Sequence, residues 1–177
     1  LRSAFITDGT VTCLGCSFMQ EIAEYPLMLI SLAVWHHRLT KDQEFLREIL
    51  PGLRSILEAY RRDYEKDGLL QNLDKWCVVE WPANFRDGYD VDIAEGKVCR
   101  EPHVALNAYY IEAVRNLNTL CAQLGLPPYR DAEILKEAFV EAFYDSQTHL
   151  FKDSLISNHI SYIGNVLPFG FALCPDR

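Results

Sequence analysis

A chain of 177 residues, 49% of them hydrophobic, is long enough to bury one substantial core and short for two, so a single unit without separate domains is expected. A net charge of -8 argues against a nucleic-acid partner, because affinity for a phosphate backbone rests on clustered Lys and Arg. No uncharged apolar run has the length of a membrane span, and the most apolar stretch, Tyr25 to Trp35, is the size of a buried helix segment.

The first ten residues, LRSAFITDGT, lack the basic region, apolar stretch and small-residue cleavage site of a signal peptide, and the compartment stays open. Cys13 and Cys16 have redox or zinc spacing, but no βαβ context and no second Cys or His pair accompany them. The other cysteines sit mostly among apolar neighbours, where Cys behaves as a small hydrophobe. Neither a metal nor a cofactor is assigned.

From Phe18 to Leu39 the residues Ile22, Tyr25, Met28, Leu29, Leu32, Ala33 and Trp35 recur at helical spacing, which predicts a wholly buried helix beginning near Tyr25. Thr40 and Gln43 read as cap and capping box of a second helix, which Pro51 and Gly52 should bend or interrupt before Leu53 resumes it. Asp67-Gly68 supplies the turn that closes this helical hairpin. Residues 69–102 have little helical periodicity and read as a long ordered loop, a length that inside a domain is usually either functional or disordered.

His103 to Leu124 is helical again, apolar on more than one face, with Gly125 as its stop. After the Pro127-Pro128 turn, Tyr129 to Phe143 predicts a shorter amphipathic helix, and Asp145 to Phe151 a turn or ribbon. A last helix is expected between Ser157 and Ala172. Helices that are apolar all round thus alternate with amphipathic ones, as the inner and outer layers of an α/α toroid require; the fold class is all-α. In this reading Trp35, Tyr109 and Tyr110 pack in the core, and His36-His37 favour a helix C-terminus.

The order of these features resembles the six-hairpin barrel of α-L-rhamnosidase-type glycoside hydrolases. The residues that carry the resemblance are the run from Glu21 to Glu58, the steps Asp67-Gly68-Leu69-Leu70 and Val79-Glu80-Trp81, and the helix AYYIEAVRNLNTLCAQLG ending at Gly125. The turn FYDSQTHLFKDS and the segment SNHISYIGNVLPFGFAL complete it, so that the resemblance spans nearly the whole chain. It implies a partial (α/α)6 toroid that cleaves terminal α-L-rhamnose, or a similar sugar, from polysaccharides or glycosides by inverting acid and base catalysis. The implied partner is a carbohydrate.

The family's acid-rich motif carrying the general acid has no match before Phe18, and its downstream base glutamate has none either, so the catalytic acid and base are unassigned. The chain supplies about five helices. Residues 1–177 are therefore expected to be an internal segment of a longer protein, inactive without the remaining parts of that chain.

Within the long loop, the resemblance implies that Glu80, where the family commonly has Asp, binds sugar hydroxyls beside Trp81 as a stacking platform, with Asn84 and Arg86 as further ligands. A solvated loop glutamate beside a packed tryptophan is the plainer alternative. Asp87, Asp90 and Asp92 follow without the glycine and terminal Glu positions of an EF-hand loop, and read as a solvated acidic turn rather than a metal site. His159, in Ser157-Asn158-His159, would open the last helix near the inner face of the barrel and touch substrate, or simply pack behind a capping Ser157. The competitors for the whole chain are a helical-repeat scaffold for protein partners and a barrel that binds sugar without activity. A regular period would favour the scaffold, and none is visible.

Overall fold

The computed structural model describes residues 22–75, 77 and 101–175, so Glu80, Trp81, Asn84, Arg86 and the Cys13/Cys16 pair lie outside the described residues. The fold is helix-rich. Among the described residues five helices, α1 (Glu24–Thr40), α2 (Gln43–Tyr64), α3 (Val104–Gln123), α4 (Glu133–Phe143) and α5 (Ile163–Gly170), are interrupted by two short antiparallel ribbons. These are β1 (Glu65–Lys66) with β2 (Leu69–Leu70), and β3 (Tyr144–Asp145) with β4 (Leu150–Phe151).

Local chemistry sets the boundaries. Asp42, rather than Thr40, caps α2 by accepting from the Phe45 N–H at 2.9 Å, since it stands immediately before the first helical residue, Gln43. The expected break at Pro51-Gly52 does not occur, because Pro51 lies on the exposed side of α2, where the carbonyl that it leaves without an N–H partner faces water. Asp67 and Gly68 both adopt positive φ, 54° and 80°, the handedness that a two-residue ribbon turn needs. Gly125, at φ 68°, ends α3 in the left-handed conformation.

A tight turn joins α1 to α2 and a longer loop, residues 124–132, joins α3 to α4, while a ribbon carries the chain onward from the end of α2 and another from the end of α4, so successive helices alternate in direction. α3 lies between α1 and α5 in one layer, and α2 and α4 pack outside it. The outer helix α2 is strongly amphipathic, and its buried stripe Leu46, Ile49, Leu50, Leu53, Ile56, Leu57 and Tyr60 faces the core. α3 is buried on most sides, from Val104 through Cys121.

α1 departs from expectation. Ile30, Ala33 and Val34 are buried against the core, but Tyr25, Met28, Leu32, Trp35 and Leu39 form an exposed stripe at the spacing of a packing seam. Trp35 is 58% exposed, with the Arg38 guanidinium over its ring, and so is not a core residue. α5 exposes Tyr162, Val166 and Phe169 alongside Leu155 and Ile156 in the preceding loop. Both flanks of the layer are apolar.

Tyr129, half-buried where the chain approaches α4, has its hydroxyl pKa pushed up to about 12, by burial first and then by the nearby Glu58 carboxylate. The folded chain keeps this proton where an unfolded tyrosine, ionising near 10, gives it up. Stability from Tyr129 should therefore be intact below pH 10 and drain away as pH rises towards 12, and Tyr129→Phe should flatten that part of an alkaline unfolding curve followed by circular dichroism.

Candidate functional site

Among the described residues, the ribbon end of the fold gathers most of the buried polar side chains. Here the N-termini of α1, α3 and α5 meet the C-termini of α2 and α4, and each ribbon is clamped by an asparagine in the first turns of an inner helix. Asn107 accepts from the Leu70 N–H at 2.7 Å and donates to the carbonyls of Leu70 (3.1 Å) and His103 (3.0 Å). Asn165 repeats the set, accepting from the Phe151 N–H at 2.8 Å and donating to the carbonyls of Phe151 (3.1 Å) and Ser161 (3.0 Å).

The match extends to the backbone: the N–H of Gln71 donates to the Tyr64 carbonyl, and that of Lys152 to the Phe143 carbonyl, both at 2.9 Å. The two units are one design with unequal loops, since clamp and ribbon lie 37 residues apart in the first and 14 in the second. That inequality hides the repeat from a search for a fixed period.

His103 caps α3 through Nδ1, which accepts from the Ala105 N–H at 3.2 Å, and its backbone bridges to Ser154. Next to Ser154, Asp153 is 2% exposed. Its Oδ1 accepts from the Ser161 N–H (3.1 Å) and hydroxyl (2.7 Å), and its Oδ2 lies 2.6 Å from Nδ1 of His159. A Cβ on Gly164 would stand 2.7 Å from Asp153 Oδ1 and 2.9 Å from Val104 Cγ1, so only glycine admits the carboxylate this close to both helices.

Two further groups share this end. Glu24, in the first turn of α1, is buried, and Tyr109 on α3 has its hydroxyl pKa raised by burial and then by the charge of Glu24. Leu73 and Lys75, which lead into the long loop, and His103, which receives it, are buried here as well, so the described flanks of that loop belong to the same end.

Of the residues expected to bind sugar, Glu80, Trp81, Asn84, Arg86 and His159, only His159 lies within the described residues. It does not open α5, which begins at Ile163, but sits in the loop before it; Ser157 accepts from the His159 N–H in a tight turn, and the Gly164 N–H in the first turn of α5 donates to the Ser161 hydroxyl. Asp153, Ser161, Asn107 and Glu24 were not anticipated. The available signal was an acid or amide inside or beside apolar helical segments, where burial without a partner is costly.

The fold recurs in solved structures. The chain superposes over 89% of its length, with a TM-score of 0.70 and 17% identity, on 16% of a GH78 family rhamnosidase of Bacillus sp. GL1. Over 97% of its length it matches 32% of a rhamnosidase from Klebsiella oxytoca with rhamnose bound, with a TM-score of 0.72 and 15% identity. An uncharacterized conserved protein from Thermus thermophilus matches over 99% of this chain and 58% of its own, with a TM-score of 0.64 and 15% identity. At such identities the likeness is one of fold, and this chain spans a third or less of either rhamnosidase. No protein-family model and no curated protein sequence matches it.

Proposed function

We propose that this chain is a segment of an (α/α)6 glycoside hydrolase that releases terminal α-L-rhamnose, or a similar sugar, from polysaccharides or glycosides by inverting acid and base catalysis. The observation that carries the reading is the set of polar side chains at one end of a fold shared with two rhamnosidases, the Asp153–His159 pair and, separately, the buried Glu24, beside the flanks of the long loop. Polar groups gathered at one end of a helical fold, at the flanks of a long loop, suit the binding of a hydroxyl-rich ligand.

The two apolar flanks support the segment reading. A monomer rarely exposes a contiguous apolar stripe on each side of one layer, and α1 and α5 are where further hairpins of a ring would continue that layer. The remaining parts of a longer chain would cover them and supply the general acid and base, with their carboxyls roughly 6.5–9.5 Å apart to admit a water. Glu80, Trp81, Asn84 and Arg86 from the loop, with His159, would hold the sugar.

The unequal loops of the two clamped units weigh against a regular repeat scaffold, whose neighbours stack at constant spacing. The test is hydrolysis of the p-nitrophenyl glycosides of α-L-rhamnose and of several other sugars by the full-length polypeptide, with Glu80→Gln alongside. Release from the rhamnoside, cut by about tenfold or more in the variant, is the expected result. Failure of a folded protein to release any sugar sinks the hydrolase reading and favours a sugar-binding barrel or a scaffold.

A further inference from the structure

The two clamped units also leave their inner helices in the same way. At the end of α3 the N–H of Gly125 donates to the Ala122 carbonyl at 3.1 Å and that of Leu126 to the Cys121 carbonyl at 3.0 Å. At the end of α5 the N–H of Ala172 donates to the Phe169 carbonyl at 3.2 Å and that of Leu173 to the Pro168 carbonyl at 2.8 Å, the same pair of spacings. Gly125 and Ala172 both take the left-handed conformation, at φ 68° and 54°. In the first unit this exit leads to an outer helix with a defined seat. Tyr129, on the approach, lies under the Arg54 guanidinium of α2, 5.5 Å from the ring centre, and α4 then packs on α3 and on the ribbon. A Cβ on Gly68 would stand 3.0 Å from the Ala138 Cβ and 3.8 Å from Leu135 Cδ2, so the ribbon turn lies directly on α4.

The preceding outer helix, the ribbon turn and the inner helix are the walls of that seat, and the second unit repeats them around an open groove of about 950 Å³. Lys136 of α4, Tyr144, Ser146 and His149 of the β3–β4 ribbon, and Phe169 and Ala172 at the end of α5 line it. Phe169 is 80% exposed on the same flank as Tyr162 and Val166, an apolar patch of the kind that marks an interface. We propose that this groove is the seat of the next outer helix of the longer polypeptide, entered from the Ala172 exit as α4 is entered from the Gly125 exit; the existence of that helix rests on the segment reading proposed above. The occupant is an amphipathic helix, because Tyr144, Phe169 and Ala172 offer it apolar surface on one side while its other side faces water. It stands farther from the ribbon than α4 does, since the turn here spans residues 146–149 rather than 67–68 and carries side chains where the first has Gly68. The size of the groove also suits a small ligand, but a ligand would not explain the shared walls.

The test places p-benzoylphenylalanine at Ser146 and, in a second variant, at Phe169 of the full-length polypeptide, and identifies the photocross-linked peptides by mass spectrometry. Both positions should cross-link within one polypeptide to the amphipathic helix that follows α5 after a short connection, at residues on one face of it. If the Phe169 variant does not fold, hydroxyl-radical footprinting of the wild-type polypeptide replaces it, and Phe169 should lose the oxidation that its exposure here would allow.

Cross-links to a second polypeptide, to a distant segment of the same one, or to nothing overturn the seat, the last leaving the groove to a small ligand; so does a Phe169 that oxidises freely. Hydrolysis of the rhamnoside is a separate readout. The expected cross-links in a protein that cleaves no glycoside uphold the seat and overturn only the hydrolysis, and other cross-links in a protein that cleaves the rhamnoside do the reverse.

Discussion

Replacing Asn107 with alanine is expected to cost about 3 kcal/mol of folding stability, against about 1 to 2 kcal/mol for the same change at Asn165. Each asparagine makes three hydrogen bonds to backbone groups, so a count of bonds would predict equal losses. Burial separates them. Asn107 is 1% exposed, and its removal strands the N–H and carbonyl of Leu70, itself fully buried, out of reach of water. Asn165 is only half-buried, so water can take over part of its work.

Chain length adds to the difference, because the Asn107 clamp closes the longer loop and so opposes a larger loop entropy. Urea denaturation should show both losses as midpoint shifts with unchanged slope. Asn107→Asp is the informative control: it keeps the acceptor for the Leu70 N–H, loses both donations and buries a charge, and should be no better than alanine. Equal losses at the two positions would mean that the clamps do not govern the ribbons in the way described.

The helices were legible in the sequence because their signals are local. The 3.6-residue stripe of α2, the glycine after α3 and the Asp-Gly turn each act within a few residues, and the structure places all three as expected. The burial of α1 was not legible in that way. An all-round apolar helix announces that every face will be covered, not which neighbour covers it, and the stripe from Tyr25 to Leu39 lies open here.

The site divides along the same line. His159 drew notice as a histidine in a polar setting, but its partner Asp153 sits in a run, Lys-Asp-Ser, that resembles any solvated turn. Only the fold brings Ser161 and the Val104 N–H onto it. The asparagine clamps were hidden for a different reason. Asn ranks low as a helix former, and its value at these two positions comes from ribbons distant in sequence. Glu24 read as one more acid ahead of an apolar run, although α1 buries it.

The other large effect is expected at Glu65, where Glu65→Ala should destabilise the protein by about 3 kcal/mol through the two groups that it leaves behind. Glu65, at the junction of α2 and β1, accepts from the Tyr110 hydroxyl at 2.6 Å, and its two oxygens take a bidentate pair of N–H bonds from Arg130. The carboxylate side chain is 12% exposed and the Arg130 side chain 22%, while Tyr110 is fully buried. Arg130 cannot turn away cheaply, since Asn118 donates to its carbonyl and accepts from the neighbouring Tyr129 N–H.

The cluster thus ties α2, α3 and the approach to α4 together, and without Glu65 a guanidinium and a phenol stay buried with one fewer acceptor. Replacing all three by Leu, Phe and Met should instead come within about 1 kcal/mol of wild type, because the desolvation that the pair has to overcome disappears with the charges. A cycle of Glu65→Ala, Arg130→Ala and the double variant, read by urea denaturation, should return a coupling of about 2 kcal/mol. Additive losses would show that the pair is screened at its margin and holds the three elements together no better than an exposed salt bridge.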